Sequence, residues 1–193
     1  MIPWIVVSYY TVDTIYEKRV KLLEKSLCNH NIPHWLEPIR SLGSWFANVN
    51  YKPTFLKQMF HEFPEQDIVY LDCDAEVLKY PALFDELTCP IAVHKFDRSV
   101  WPRGKGFEIL SGTIFLRNCQ KTYNLVEQWE VECKKNPKNW DQRSLQKVLG
   151  EDYYNLPPEY CKIFDLPMCD PKKAVIVHHQ TSRLVRENGW KLV

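Results

Sequence analysis

The sequence has no CxxC pair, although its 193 residues include seven cysteines. Neither a zinc site nor a redox dithiol is indicated, and this cysteine usage favours a reduced, cytoplasmic setting. The amino-terminal MIPWIVVSYY lacks the cationic segment of a signal peptide, and no run approaches the roughly 20 apolar residues of a transmembrane segment. The 25 Lys and Arg residues balance 24 Asp and Glu residues, which leaves a net charge of +1. A nucleic-acid-binding surface would show a basic excess, so this partner class is excluded.

The length and the hydrophobic pattern predict one α/β domain over residues 1–193. One domain per roughly 150 residues is the usual expectation, and there is no linker, repeat or low-complexity tract to divide the chain. Short apolar runs alternate with helical patterns, as in proteins with a mostly parallel sheet flanked by helices. The runs predicted as strands are 3–8, 32–39, 67–72, 90–94, 112–117 and 174–178. The predicted helices follow Thr14, which begins a capping-box pattern, and cover 53–63, 119–135 and 141–149. The residues after the last strand are predicted to form a polar tail.

Two carboxylates, Asp72 and Asp74, directly follow the buried strand DIVYLD. Residues i and i+2 of an extended segment share a face, so both side chains can reach one bound ion. Ligands of open α/β sheets collect at the carboxyl ends of the strands, where this pair lies. Carboxylate oxygens suit Mg²⁺ or Mn²⁺ that carries a diphosphate. The alternative is an acidic pair that merely closes a strand into a turn.

A histidine pair, His178 and His179, follows the final apolar strand AVIVH. A ring nitrogen from one of them can complete a divalent-metal site with the two aspartates. Strand continuity favours His178 as the ligand, with His179 on the opposite face, but the sequence leaves the choice open. His94, also at a strand end, is a weaker candidate.

Further candidates lie in three polar segments. Ser8 to Thr11 (SYYT) leave the first strand beside the aspartates, where aromatic rings and hydroxyls suit a nucleoside. Lys52, at the start of a helix, offers a positive charge for a phosphate. The loop WPRGKG at 101–106 is a candidate flap, with Arg103 and Lys105 as basic groups for a leaving diphosphate.

Four motifs in order resemble the GT-A fold of nucleotide-sugar-dependent glycosyltransferases, most closely its small bacterial and viral members. They read GSWFANVNYKPTF (43–55), IVYLDCDAEVLKYP (68–81), SGTIFLRN (111–118) and DQRSL (141–145). The resemblance runs from the first strand to the HHQ segment. It implies a GT-A-like, Rossmann-like mixed sheet, a UDP-sugar donor and Mn²⁺- or Mg²⁺-dependent sugar transfer.

The resemblance also implies a role for each matching residue. Asp74 would bind the ion directly, Asp72 the ion or the ribose, and His178 would complete the metal site. Asp141 and Gln142 would lie beside the anomeric carbon, as in retaining members. The other implied donor-binding residues are Ser8, Tyr9, Tyr10 and Thr11 at the nucleoside, Lys52 near the base or diphosphate, Ser111, Gly112 and Thr113 at the sugar, and Arg183 at a phosphate.

The sequence departs from the family pattern after His178. Retaining families have a glycine and a lysine there, whereas this chain has Thr181, Ser182 and Arg183. Arg183 would therefore replace the lysine that binds phosphate in those families. Retention is favoured, through either a carboxylate nucleophile or same-face attack, whereas an inverting enzyme would make Asp97 the candidate base. The acceptor is unknown; it must be small, held by the loops at 97–106 and 155–171, or presented by a partner.

Three other functions compete with sugar transfer. A non-catalytic nucleotide-sugar-binding module fits the small size. A haloacid-dehalogenase-like phosphatase also uses DxD, but it places this motif on the first strand and needs a later Lys and an acidic pair, and no DD pair occurs near 150–180. A sugar nucleotidyltransferase would need a Gly-rich loop after the first strand, and PWIVVS is not followed by one.

Overall fold

The computed structural model describes residues 2–100 and 104–187, with side chains described as far as residue 184. Within these ranges the main sheet is formed by six strands: β1 (Trp4–Thr11), β2 (His34–Ile39), β3 (Asp67–Leu71), β5 (Ile91–Asp97), β6 (Phe107–Leu116) and β7 (Tyr154–Asn155). A smaller sheet contains β4 (Ala75–Val77), β8 (Lys162–Ile163) and β9 (Ile176–His178). The helices are α1 (Ile15–Asn29), α2 (Trp45–Asn50), α3 (Lys52–Glu62), α4 (Leu83–Glu86), α5 (Gln120–Lys135), α6 (Asp141–Val148) and α7 (Thr181–Glu187).

The main sheet has the order β2-β1-β3-β6-β5-β7, and β6 runs against both of its neighbours. The other strands share one direction, which confirms the predicted mixed, mostly parallel α/β sheet flanked by helices. Alternate residues of β1 face two cores: Val7 packs with α3, α5 and α6, and Val6 packs with α1 and α4. Because both faces of the sheet are covered, its strands read as continuous apolar runs.

The element boundaries differ from the sequence prediction in several places. β5 extends to Asp97 and β6 begins at Phe107, because these two strands continue as a hairpin toward the loop that joins them. The predicted polar tail contains α7. Thr14 caps α1 by accepting a hydrogen bond from Tyr16 N at 3.1 Å, but Glu17 accepts from Asp13 N rather than from Thr14 N. The described residues contain no helix that is both long and apolar enough to cross a membrane.

A bulge interrupts β6 beside the carboxyl end of β3. Val93 of β5 pairs with Ile114 and the next residue, His94, pairs with Leu110, so residues 111–113 have no partner on β5. Bulges re-aim side chains and are frequent next to active sites. Here Ser111 faces α3 and α6, whereas Thr113 contacts Tyr160 and His178 on the other side of the sheet.

Candidate active site

A cavity of about 580 Å³ opens at the carboxyl ends of β1 and β3. Its walls come from the exit of β1, the helices α2, α3 and α6, the turn after β3, β6 and α7. The predicted site residues that line it are Tyr9, Tyr10, Thr11, Lys52, Asp72, Asp74, Ser111, Asp141, Gln142 and Arg183. Folding therefore brings segments from both ends of the chain to one concave surface.

Asp72, Asp74 and His178 form a group with the donor atoms of a metal site. One oxygen or nitrogen from each lies within 4.8 Å of the other two. The small sheet creates this approach, because β9 pairs with β4 so that His178 lies opposite Ala75, and His179 N donates to the carbonyl of Asp74 at 3.1 Å. His179 itself turns away, and its Nε2 lies 3.0 Å from Glu76 Oε2.

The His178 ring is buried with one nitrogen bonded and the other open. Nε2 lies 2.8 Å from Thr113 Oγ1, whereas Nδ1 is buried and has no hydrogen-bond partner among the described residues. Burial lowers the pKa of His178 although Asp72 and Asp74 act in the opposite direction. The imidazole is therefore neutral near pH 7, which is the form that coordinates a cation.

Gly112 leaves the space in which this group assembles. A Cβ at this position would lie 2.9 Å from Cε1 and 3.1 Å from Nδ1 of His178, and 3.0 Å from Oδ2 of Asp72. The shortest of these contacts is below the usual range for a Cβ and the other two are tighter than most, so the ring or the carboxylate would have to shift. Glycine is therefore the residue that lets the histidine and the carboxylate face each other here.

Asp74 lies deeper than Asp72. It is 9% exposed, and its Oδ2 accepts a hydrogen bond from Thr181 N at 2.6 Å, which ties the start of α7 to the site. Burial, and then the neighbouring charge of Asp72, raise the pKa of Asp74. Two neighbouring carboxylates, one of them buried, favour a bound cation, which would reverse both effects.

Lys52 joins two carboxylates at the floor of the cavity. Its Nζ lies 3.0 Å from Asp72 Oδ1 and 2.8 Å from Asp141 Oδ2. It also donates to the carbonyl and the hydroxyl of Ser111, at 3.0 and 3.2 Å. Burial acts to lower the pKa of Lys52, but Asp141 and Asp72 outweigh burial and raise it. Lys52 is thus a permanently charged, 3% exposed counter-ion to the carboxylates rather than a free phosphate ligand.

The residues of the GSWFANVNYKP segment build this corner. Ser44 caps α2 by accepting from Ala47 N at 3.1 Å. Asn48 accepts from Leu42 N at 2.7 Å through its side chain and from the Tyr9 hydroxyl at 2.8 Å through its carbonyl. These bonds fix the loop before α3, so that Lys52, in the first turn of α3, points under the cavity.

Some predicted residues lie beside the cavity rather than on its surface, and others line it but are engaged in packing or hydrogen bonds. Ser8 and Thr113 are fully buried, and Tyr9 lines the cavity but packs its ring among Tyr51, Phe55 and Tyr70. Gln142 lines the cavity while its Oε1 accepts from Ser111 N at 3.2 Å.

Three weaker candidates lie outside the metal group and the cavity lining. His94 is buried with Nδ1 bonded to the carbonyl of Leu156, and Asp97 is an exposed residue that accepts from Ser99 N. Lys105 is exposed on the strand-joining loop, and Arg103 falls outside the described residues.

One wall of the cavity is absent from the sequence prediction. It contains Phe96, Glu108, Leu110 and Ile163, from β5, β6 and β8. Phe96 and Ile163 belong to a small apolar cluster of their own, with Leu110 packed against it. Phe96 and Leu110 follow the pattern of ordinary core strands, and Ile163 was covered only as part of the range 155–171, so the sequence did not single them out. Trp45 and Trp140, whose rings meet edge to face at 6.0 Å, also line the cavity. Trp45 lies in the GSW motif, but neither tryptophan was predicted as a site residue.

A mostly parallel sheet with two aspartates on a cavity at its carboxyl edge, and a buried histidine beside them, is the GT-A arrangement of glycosyltransferases that use nucleotide-sugar donors. Residues 53–182 match the family model described as nucleotide-diphospho-sugar transferase. This match covers more than half of the chain, and the chain belongs to the nucleotide-diphospho-sugar transferase family. A search of curated protein sequences found no match.

Solved structures with the same fold include two glycosyltransferases. One is involved in the glycosylation of the major capsid of PBCV-1; it matches with a TM-score of 0.69 and 21% identity over 97% of this chain and 98% of its own. The other, GlyE of Streptococcus pneumoniae TIGR4, matches with a TM-score of 0.63 and 20% identity over 93% of this chain. The present chain spans 55% of the GlyE chain. These matches agree in fold with the predicted GT-A class, and the family favours sugar transfer over the phosphatase and nucleotidyltransferase alternatives.

Proposed function

We propose that this glycosyltransferase uses a UDP-sugar and a divalent cation, Mn²⁺ or Mg²⁺, and transfers the sugar with retention to a small acceptor. The observation that carries the proposal is the Asp72–Asp74–His178 group, whose aspartates line the cavity and whose buried His178 Nδ1 has no partner among the described residues. Two carboxylates and an imidazole are a suitable ligand set for Mn²⁺.

The charges at the cavity floor support a divalent ion. Asp72, Asp74 and Asp141 carry three negative charges when ionised, and Lys52 supplies one positive charge among them. Two negative charges remain; that of Asp74, which is 9% exposed, would be costly to bury without compensation, whereas the Asp72 side chain is 38% exposed. A bound divalent cation would offset them and would stabilise the negative charge that develops on the leaving diphosphate.

We place the nucleoside at the exit of β1. Tyr10 and Thr11 line the cavity there, and the Thr11 hydroxyl is oriented by Thr14 Oγ1 at 2.9 Å. Arg183 lines the cavity from α7 and forms an ion pair with Asp165. In the proposed complex Arg183 exchanges part of this pairing for the diphosphate, since a guanidinium binds phosphate oxygens well.

We favour same-face attack over a carboxylate nucleophile. Asp141 is the acidic candidate beside the sugar, but its Oδ2 is held by Lys52 and by a 2.8 Å hydrogen bond from Ser111. A carboxylate so engaged is a weak nucleophile and a good electrostatic partner for a sugar ring that becomes positive. In this scheme the bond between the anomeric carbon and the diphosphate breaks, the acceptor oxygen adds on the same face, and its proton passes to the leaving diphosphate.

We assign the acceptor to the wall formed by Phe96, Glu108, Leu110 and Ile163. Phe96, Glu108 and Leu110 lie beside the loop at 97–106, and Ile163 lies within 155–171, the two ranges expected to hold the acceptor. An apolar surface beside one carboxylate suits a sugar ring, whose carbon face packs while a hydroxyl donates to the carboxylate. The location we propose is cytoplasmic, in keeping with seven cysteines that are all free.

The test is calorimetric titration of UDP into the purified protein with and without Mn²⁺, followed by a screen of UDP- and GDP-sugars for metal-dependent thermal stabilisation. We expect UDP binding that requires Mn²⁺, with a preference for one UDP-sugar. His178→Gln should weaken Mn²⁺-dependent binding, whereas the matched control His179→Gln, which alters the neighbouring ring on the other face, should not. Absence of Mn²⁺-dependent UDP binding would refute the proposal, and an equal loss in both variants would move the metal site.

A further inference from the structure

Thr113 lies directly behind the His178 ring, in the bulge of β6. Its side chain is fully buried, so it meets neither solvent nor any ligand in the cavity. Its hydroxyl oxygen nevertheless has polar neighbours: the carbonyl oxygen of Tyr160 at 2.9 Å, Nε2 of His178 at 2.8 Å and, as a weaker partner, the Cys161 thiol. These contacts are made by the hydroxyl group, and a residue of the same shape without a hydroxyl would lack them.

The hydrogen bonds at this hydroxyl fix where the protons lie. A carbonyl oxygen only accepts, so the single hydroxyl proton of Thr113 is donated to Tyr160. The lone pair of Oγ1 then faces His178 Nε2, and a hydrogen bond forms only if Nε2 carries the proton. In a neutral imidazole the remaining lone pair is on Nδ1. That atom is the one that lies on the side of Gly112 and Asp72.

We propose that Thr113 is a positioning residue, which together with the Tyr160 carbonyl holds His178 in the Nε2–H form with its Nδ1 lone pair directed at the Asp72–Asp74 pair. The consequence is a metal-ligand set that is formed before the cation arrives. A histidine ligand whose second nitrogen is bonded keeps both its tautomer and its ring orientation, and loss of such a bond lowers metal affinity by about 10–100-fold. This inference rests on the proposed metal site, although the tautomer itself does not depend on metal.

Two substitutions separate hydrogen bonding from packing. Thr113→Val keeps the branched shape but removes the hydroxyl, so the Nε2–H of His178 and the Tyr160 carbonyl both lose a partner. Thr113→Ser keeps the hydroxyl and removes only a methyl group. If Thr113 served packing alone, the valine variant would be the milder of the two.

The first measurement is the nitrogen-15 NMR spectrum of the histidine rings in the metal-free, full-length protein, with His178 assigned by its loss in His178→Gln. We expect the Nε2–H pattern in the wild type and in Thr113→Ser, and a displaced Nε2 resonance in Thr113→Val. An Nδ1–H pattern in the wild type would overturn the inference, whether or not any variant folds.

The second measurement is the Mn²⁺ dissociation constant, from the electron paramagnetic resonance of free Mn²⁺. We expect Thr113→Val to bind about 10–100-fold more weakly than the wild type, and Thr113→Ser to retain affinity close to the wild type. Equal affinity of the valine variant and the wild type would overturn the positioning role. If the wild type shows the Nε2–H form but binds no Mn²⁺, the proposed metal dependence fails while the hydrogen-bond relay through Thr113 stands.

Discussion

Substitution of Gly112 by alanine tests the candidate metal site through the smallest possible change. The added Cβ would meet Cε1 of His178 at 2.9 Å and Oδ2 of Asp72 at 3.0 Å. Ordinary contacts between such atoms lie near 3.5–4.0 Å, so the neighbours must move by about 0.5–1 Å. Neither can move freely, because His178 is held by Thr113 and Asp72 by Lys52.

The expected effect on metal binding exceeds the effect on the fold. Functional constellations tolerate displacements of about 0.5 Å, so Mn²⁺ affinity should fall by a factor of at least about 10–100, or about 1.4–2.7 kcal/mol. Overpacking costs about 1–3 kcal/mol of folding free energy, and the lower chain entropy of unfolded alanine returns about 0.4–1 kcal/mol. The variant should therefore fold, with a net loss of stability of about 1–2 kcal/mol.

Gly150→Ala is the matched control for this substitution. Gly150 has φ +67° at the far end of α6 from Asp141, and no heavy atom of the described residues lies within 4 Å of a Cβ built there. A left-handed alanine costs about 1–2 kcal/mol, so both variants should be similarly destabilised. Urea denaturation measures the stability and calorimetry with Mn²⁺ the affinity. The reasoning is refuted if Gly112→Ala binds Mn²⁺ as the wild type does, or if Gly150→Ala loses affinity equally.

Three further outcomes follow from the same contacts. Lys52→Met should destabilise the fold by about 3–5 kcal/mol in urea denaturation, since it leaves the buried Asp141 carboxylate without its counter-ion; a cost below about 1 kcal/mol would mean that this carboxylate is hydrated. Burial alone would raise the pKa of Glu130, but hydrogen bonds from Thr54 and two lysines lower it to about 2. Glu130→Gln should therefore cost about 1–2 kcal/mol near pH 7, and its difference from the wild type should shrink as pH falls from about 4.5 toward 2; a pH-independent difference contradicts this. Glu108→Gln should leave Mn²⁺-dependent UDP affinity unchanged and slow transfer to acceptors found by screening mono- and disaccharides; weaker UDP binding would place Glu108 on the donor side instead.

The strands that carry the candidate site were predictable from sequence because they are buried on both faces. The segment DIVYL is apolar at consecutive positions, and the aspartates follow it directly. Because ligands of open α/β sheets bind at the carboxyl ends of the strands, this position predicts a ligand site. The pairing of β9 with β4, which brings His178 to Asp74, is a long-range contact that periodicity does not encode. The GT-A resemblance implied that His178 completes the metal site, but not the strand pairing that brings it there.

The destination of Lys52 was not predictable from sequence. A lysine at a helix start is most often solvated, and its nearest sequence neighbours carry no acidic group. Its carboxylate partners lie 20 and 89 residues away, and only the packing of α3 and α6 on one sheet face brings them together. The same holds for α7, whose polar sequence has little amphipathic signal and whose first turn is anchored by Thr181 N on buried Asp74.

The bulge in β6 explains why three consecutive residues, Ser111, Gly112 and Thr113, all contribute to this site. In a regular strand Ser111 and Thr113 would share a face and Gly112 would oppose them. With residues 111–113 unpaired on the β5 side, Ser111 turns toward Lys52 and Asp141 and Thr113 turns toward His178. Gly112 lies between them and leaves room for the ring and the carboxylate. A single backbone irregularity therefore couples the carboxylate–lysine cluster on one sheet face to the histidine on the other, so a change that straightened β6 would disturb both at once.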